Sequence, residues 1–148
     1  MKKHAFVTFV LLVSAPFFLS RCTQENPAVK PITYDEFIHE IWDFERHPTE
    51  YVFKGKTPAV VDFYSNSCRP CRQLSPIIEK LAEEFSGQVA FYKVNVEEEK
   101  ALAKVFRIQG VPAVFFMPME GRPMKQTGIL PENEYRTIIE ESLLHPTE

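Results

Sequence analysis

Cysteine is scarce: the 148-residue chain holds three, too few to staple a fold together with disulfides. The four histidines, His4, His39, His47 and His145, are scattered. No compact set of four ligands for a structural zinc ion follows from such a distribution. After Lys3 there is no block of Lys or Arg, and the formal net charge is −3, which argues against a nucleic-acid-binding surface. No apolar run reaches the ~20 residues that a membrane-spanning helix needs. The longest, Ala5 to Leu19, is fifteen residues and is interrupted by Pro16. What is present is a 45% hydrophobic, 25% charged composition, and a segment of about 115 residues is long enough to bury one core.

The N-terminus reads as an export signal. Lys2 and Lys3 supply a positive start, and the uncharged apolar run follows. Leu19-Ser20-Arg21-Cys22 resembles a bacterial lipobox, in which Cys22 becomes the lipidated first residue of the mature protein. Arg21 departs from that pattern, because a small residue usually precedes the cysteine. A cut after Cys22 is the competing reading, and an uncleaved membrane anchor is a third. Thr23 to Pro31 is polar, contains Pro27 and Pro31, and reads as a tether. The expected division is a signal at 1–22, a tether at 23–31 and one folded domain at 32–148.

Within that domain the spacing predicts an α-β-β-α-β-α-β-β-α order. Thr33 and Glu36 have capping-box spacing, and Phe37, Ile38, Ile41 and Trp42 follow at helical intervals. Tyr51-Val52-Phe53 reads as a short edge strand. Pro58 to Tyr64 is a Val-rich run of the kind found in strands covered on both faces; its single charge is Asp62. Leu74, Ile77, Ile78, Leu81 and Phe85 mark an amphipathic helix over about 69–85 that continues through Pro76. A strand at Val89–Val96, a helix at Glu97–Phe106, a Gly110-Val111-Pro112 turn and a strand at Ala113–Met117 come next. Gly121 turns the chain into a strand around Met124–Thr127. Pro131 opens a last helix, with Tyr135, Ile138, Ile139 and Leu143 inward. Between the first long strand and its helix lies Ser67-Cys68-Arg69-Pro70-Cys71-Arg72. Two thiols three positions apart can close a small disulfide ring or supply half of a metal site, and spacing alone leaves both open.

The stretch V-V-D-F-Y-S-N-S-C-R-P-C-R-Q-L-S-P closely resembles the thioredoxin family, and the later G-V-P-A turn sits where that family places its cis-proline. The resemblance covers residues 50–145. It implies a thioredoxin-like three-layer α/β sandwich, a mixed central sheet with helices on both faces, here with an extra N-terminal helix. It implies a Cys68–Cys71 redox-active disulfide. Cys68, at the strand-to-helix junction, would be the nucleophile, its thiolate favoured by the free N–H groups and dipole of the first helical turn. Cys71, one turn on, would be the resolving thiol. Asp62 matches the family's buried carboxylate, which moves a proton to and from the resolving cysteine, and Lys93 matches that carboxylate's partner. A surface salt bridge is the plainer reading of both. Pro112 is expected to follow a cis bond and Val111 to offer its backbone to an extended substrate. Arg69, Pro70, Gly128 and Ile129 are expected to border the same groove.

Three positions depart from the family pattern. Ser67 and Tyr64 stand where tryptophan is usual, leaving Trp42 in the added helix as the only one. The inner pair is Arg-Pro instead of Gly-Pro; a charge that stabilises the Cys68 thiolate makes the disulfide a better oxidant. The resemblance implies a protein-disulfide oxidoreductase, most simply a thioredoxin-type reductant; the N-terminal pattern would place it in the periplasm or hold it at the membrane by a lipid. An oxidant or isomerase of exported proteins, or a redox-inactive binding module, are the alternatives. It would need no bound cofactor or metal. It would act as a monomer on protein thiols and disulfides and be reset by a membrane electron carrier or another redox partner.

Overall fold

Ala59–Tyr64 (β2) is the central strand of the sheet, buried along almost its whole length. The structure, a computed structural model, describes residues 28–145; the expected signal segment and Cys22 lie outside them. In chain order the elements are β1 (Val29–Pro31), α1 (Tyr34–Glu40), β2, α2 (Arg69–Glu84), β3 (Ala90–Asn95), α3 (Lys100–Val105), β4 (Ala113–Met117), β5 (Met124–Thr127) and α4 (Glu132–Ile139), the last running into a π-helical stretch, Glu140–Leu144. The strands lie in the order β1-β3-β2-β4-β5. β3 runs parallel to both β1 and β2, whereas β4 is antiparallel to β2 and β5.

Strand alternation divides the core into two halves. Val60, Phe91, Val114 and Phe116 pack with Leu74, Ile78 and Leu81 of α2 and with Tyr135 and Ile139 of α4. Val61, Phe63, Val94, Phe115 and Met117 pack on the other face, with Phe37 of α1 and Leu102 of α3. Phe106 lies between them, its ring 4.9 Å from Phe115 and 5.2 Å from Phe63, centroid to centroid. Side chains buried to this degree contribute roughly 1.5–3 kcal/mol each. Asp62 shares the parity of Val60 and therefore faces α2.

Local signals were read correctly where they are self-contained. Thr33 caps α1 in a reciprocal capping box with Glu36, but α1 ends at Glu40, so Trp42, expected within this helix, lies just beyond it. α2 passes through Pro76 without ending. The sheet contains two corrections to the sequence reading. The tether does not extend to Pro31: Val29–Pro31 pairs with Phe91–Lys93 as an edge strand, and Val29 is buried. Proline is tolerated there because an edge strand leaves some N–H positions unpaired. Conversely, Tyr51–Phe53 is not a strand. Only Phe53 bridges to Trp42, and Lys54 N–H donates to the Ile41 carbonyl at 2.9 Å. Its partner is the chain just leaving α1, which offers too short an extended stretch for a ladder.

Candidate active site

β2 leads directly into the cysteine loop. After Tyr64 the chain turns, with the Cys68 N–H donating to the Ser65 carbonyl at 3.2 Å, and α2 begins. Cys68 is the N-cap of α2 in an extended conformation, and Pro70 occupies the first turn. Proline is harmless there because first-turn N–H groups have no helical acceptor. The N-cap acceptor is a sulfur: Cys71 N–H donates to Cys68 Sγ at 3.1 Å. An N–H aimed at that sulfur, at the positive end of a 16-residue helix, stabilises the thiolate left by reduction. Cys68 and Cys71 are joined as a disulfide, with Cα atoms 5.3 Å apart. Cys71 is buried and Cys68 only half-buried, so the first sulfur is the one an incoming thiolate can reach. Arg69 and Pro70 are exposed beside it.

The opposite wall comes from the β4 approach. The Val111–Pro112 bond is cis, as expected, and the Val111 carbonyl oxygen lies 3.6 Å from Cys68 Sγ. Gly128 N–H donates to the Pro112 carbonyl at 2.9 Å. Gly128 has φ +82 with open space where a side chain would begin, so it is the backbone conformation that calls for glycine.

Beneath the cysteines is a cavity of about 210 Å³, lined by Asp62, Tyr64, Cys71, Arg72, Ser75 and Lys93 among others. Asp62 is 5% exposed and its Oδ1 has no hydrogen-bond partner among the described residues. Burial pushes its carboxyl up to about 7, against a weaker downward pull from the Lys93 ammonium. Lys93 is its register partner on β3 and half-buried, but no ion pair joins the two within 4.0 Å. The plainer reading of Asp62 as half of a surface salt bridge therefore fails. Among the described residues no group of three His, Cys, Asp or Glu could hold a metal ion.

Two features escaped the sequence reading. Ser67, noted only as a departure from tryptophan, donates to Glu97 Oε1 at 3.2 Å, and Ser65 Oγ lies 3.2 Å from Ser67 Oγ, a polar tie from the cysteine loop to the β3–α3 turn. Tyr135, assigned to the inward face of the last helix, carries a hydroxyl bonded to the Gly128–Leu130 segment. A phenol among aliphatic inward positions was the available signal for it.

The comparisons agree with this geometry. A sequence model of the thioredoxin family matches residues 43–141. The chain is 34% identical over 110 residues to a thioredoxin of Borreliella burgdorferi, covering 74% of this chain and 93% of that protein. It is 34% identical over 94 residues to a chloroplastic M-type thioredoxin of Spinacia oleracea, of which it spans only 52%. The solved structure of chloroplastic thioredoxin z superposes with a TM-score of 0.61 at 26% identity, covering 75% of this chain and 90% of that one. With its Cys68–Cys71 disulfide beside the Val111–Pro112 turn, the chain belongs to the thioredoxin family of thiol–disulfide oxidoreductases.

Proposed function

We propose that this chain is an exported thioredoxin-type reductant of protein disulfides. The observation that carries the exchange chemistry is the half-buried Cys68 sulfur, held between the Cys71 N–H at 3.1 Å and the Val111 carbonyl at 3.6 Å. Export rests on the residue 1–22 pattern alone.

In the reduced protein the Cys68 thiolate attacks one sulfur of a substrate disulfide. A Cys68–substrate bond forms, the substrate S–S bond breaks, and the departing thiolate takes a proton from water. Cys71 then gives its proton to the Asp62 carboxylate across the shared cavity and attacks Cys68 Sγ. The Cys68–Cys71 bond forms, the mixed disulfide breaks, and the second substrate thiolate leaves. Two electrons have passed from the dithiol to the substrate. Asp62, titrating near neutrality, is matched to accepting and returning that proton. Lys93 would keep the carboxyl from rising further. A reductant, such as a membrane electron carrier, must then return two electrons to the pair.

Turbidity from insulin reduction in the presence of dithiothreitol tests this reading. Wild type should accelerate it and Cys68→Ser should not. Equal rates would leave only a binding module.

A further inference from the structure

We infer that Tyr135 is a positioning residue for substrate binding, its hydroxyl fixing Ile129 at the edge of the cis-proline turn. This rests on the disulfide-exchange reading above and extends it to the groove. Tyr135 is wholly buried, its ring stacked on Phe116 with centroids 6.3 Å apart. Core packing calls for a ring of that size and does not call for its oxygen, which is costly in an apolar interior unless bonded. The oxygen is bonded twice. It donates to the Gly128 carbonyl at 3.1 Å and accepts from the Leu130 N–H at 3.4 Å. These are the peptide groups immediately before and after Ile129, so one phenol clamps both flanks of that residue.

Gly128 is tied in turn to the cis-proline turn through its N–H and the Pro112 carbonyl, 2.9 Å apart. A chain of hydrogen bonds thus runs from α4 through the Gly128–Leu130 loop to the wall that faces Cys68. Between the clamped groups Ile129 is 39% exposed, one of the few large apolar side chains left in solvent among the described residues. A flexible loop would lose entropy on ordering against a substrate; a clamped one has lost it on folding. The occupant is an extended polypeptide segment with an apolar side chain near its disulfide. It would pair with the Val111 backbone and rest that side chain on Ile129.

The test is Tyr135→Phe, which keeps the ring and removes only the oxygen, with Ile129→Ala and the double variant. Steady-state insulin reduction is measured for each, together with the rate on a small aromatic disulfide too short to lie along the groove. Tyr135→Phe should raise KM for insulin about fivefold, the scale of one net hydrogen bond. Its kcat should stay within about twofold, and its rate on the small disulfide should not fall in parallel. KM does not depend on the fraction of protein that is folded, so a loss of stability does not imitate the result. Ile129→Ala should also raise KM, and the double variant should be no worse than the poorer single one, because both act through one contact. An unchanged KM in Tyr135→Phe, or effects that multiply fully in the double variant, would overturn the assignment of Tyr135 while leaving the exchange chemistry intact. A wild type inactive on both substrates would overturn both.

Discussion

Asp62 couples the stability of the fold to its chemistry. Its carboxyl ordinarily titrates at 3.8 and in the folded protein at about 7. Below pH 4 both folded and unfolded chains are protonated there, and the group contributes no penalty. Between pH 4 and 7 the unfolded chain releases the proton and the folded chain keeps it, so stability falls as pH rises; above 7 the loss levels off. Lifting the carboxyl from 3.8 to about 7 corresponds to roughly 4 kcal/mol. Asp62→Asn removes this titration. The variant should therefore gain on wild type as pH rises, and urea unfolding of the disulfide-intact proteins at pH 4.5 and pH 8 measures the gap. A gap that does not change between the two would rule out a raised carboxyl. The same substitution removes the proposed proton acceptor for Cys71, so release of reduced substrate should slow even as the protein becomes more stable. The position was legible in the sequence because a lone charge inside V-V-D-F-Y has few innocent explanations. The Tyr135 clamp was not, because a hydroxyl's partners lie across the fold and leave no periodic trace.

Elements whose cause is local were read closely. β4 and β5 coincide with the expected Ala113–Met117 and Met124–Thr127, and α2 differs by one residue from the expected span. Alternation and helical period write themselves along such segments. β1 has one inward residue, too little for a pattern, and exists because β3 offers it an edge. It should nevertheless matter. A chain starting at Ala28 should be more stable than one starting at Ile32 by roughly 2–3 kcal/mol, from Val29 burial and the lost ladder bonds. Equal denaturation midpoints would return Val29–Pro31 to the tether. The placement of Trp42 gives a second expectation. It packs with Phe44, Tyr51 and Phe106 on the α1–α3 face of the sheet, and its indole N–H donates to the Glu50 carbonyl at 3.0 Å. α2, which carries Cys71, lies on the other face. Reducing the disulfide should change tryptophan emission little, and strong redox-linked quenching would contradict that separation.

For the whole molecule, the direction of the strands bears on the lipid anchor expected at Cys22. β1, β3 and β2 are mutually parallel, and the cysteine loop follows the C-terminal end of β2. The N-terminal end of β1 therefore lies at the opposite end of the sheet from Cys68. Val29 is level with Val60 through Phe91, so the four residue steps from there to Tyr64 separate the start of β1 from the cysteine-loop end of β2 by roughly 13 Å. From Cys22 to Val29 the chain can reach at most about 25 Å when extended. A lipid on Cys22 would thus hold the domain within about 25 Å of a bilayer, attached at the end of the sheet remote from its disulfide. Such an enzyme should sediment with membranes when the full-length chain is expressed in a bacterium, and dissolve in detergent with full insulin-reducing activity. Cys22→Ala should move it to the soluble fraction or leave it unprocessed, with its activity per folded molecule unchanged, because the proposed exchange runs through Cys68 and Cys71 alone. The mass of the mature protein distinguishes the remaining cases. A diacylglyceryl-modified N-terminus at Cys22 supports the anchor, an unmodified start at Thr23 means a free exported enzyme, and an intact Met1 start in the cytoplasm would sink export altogether.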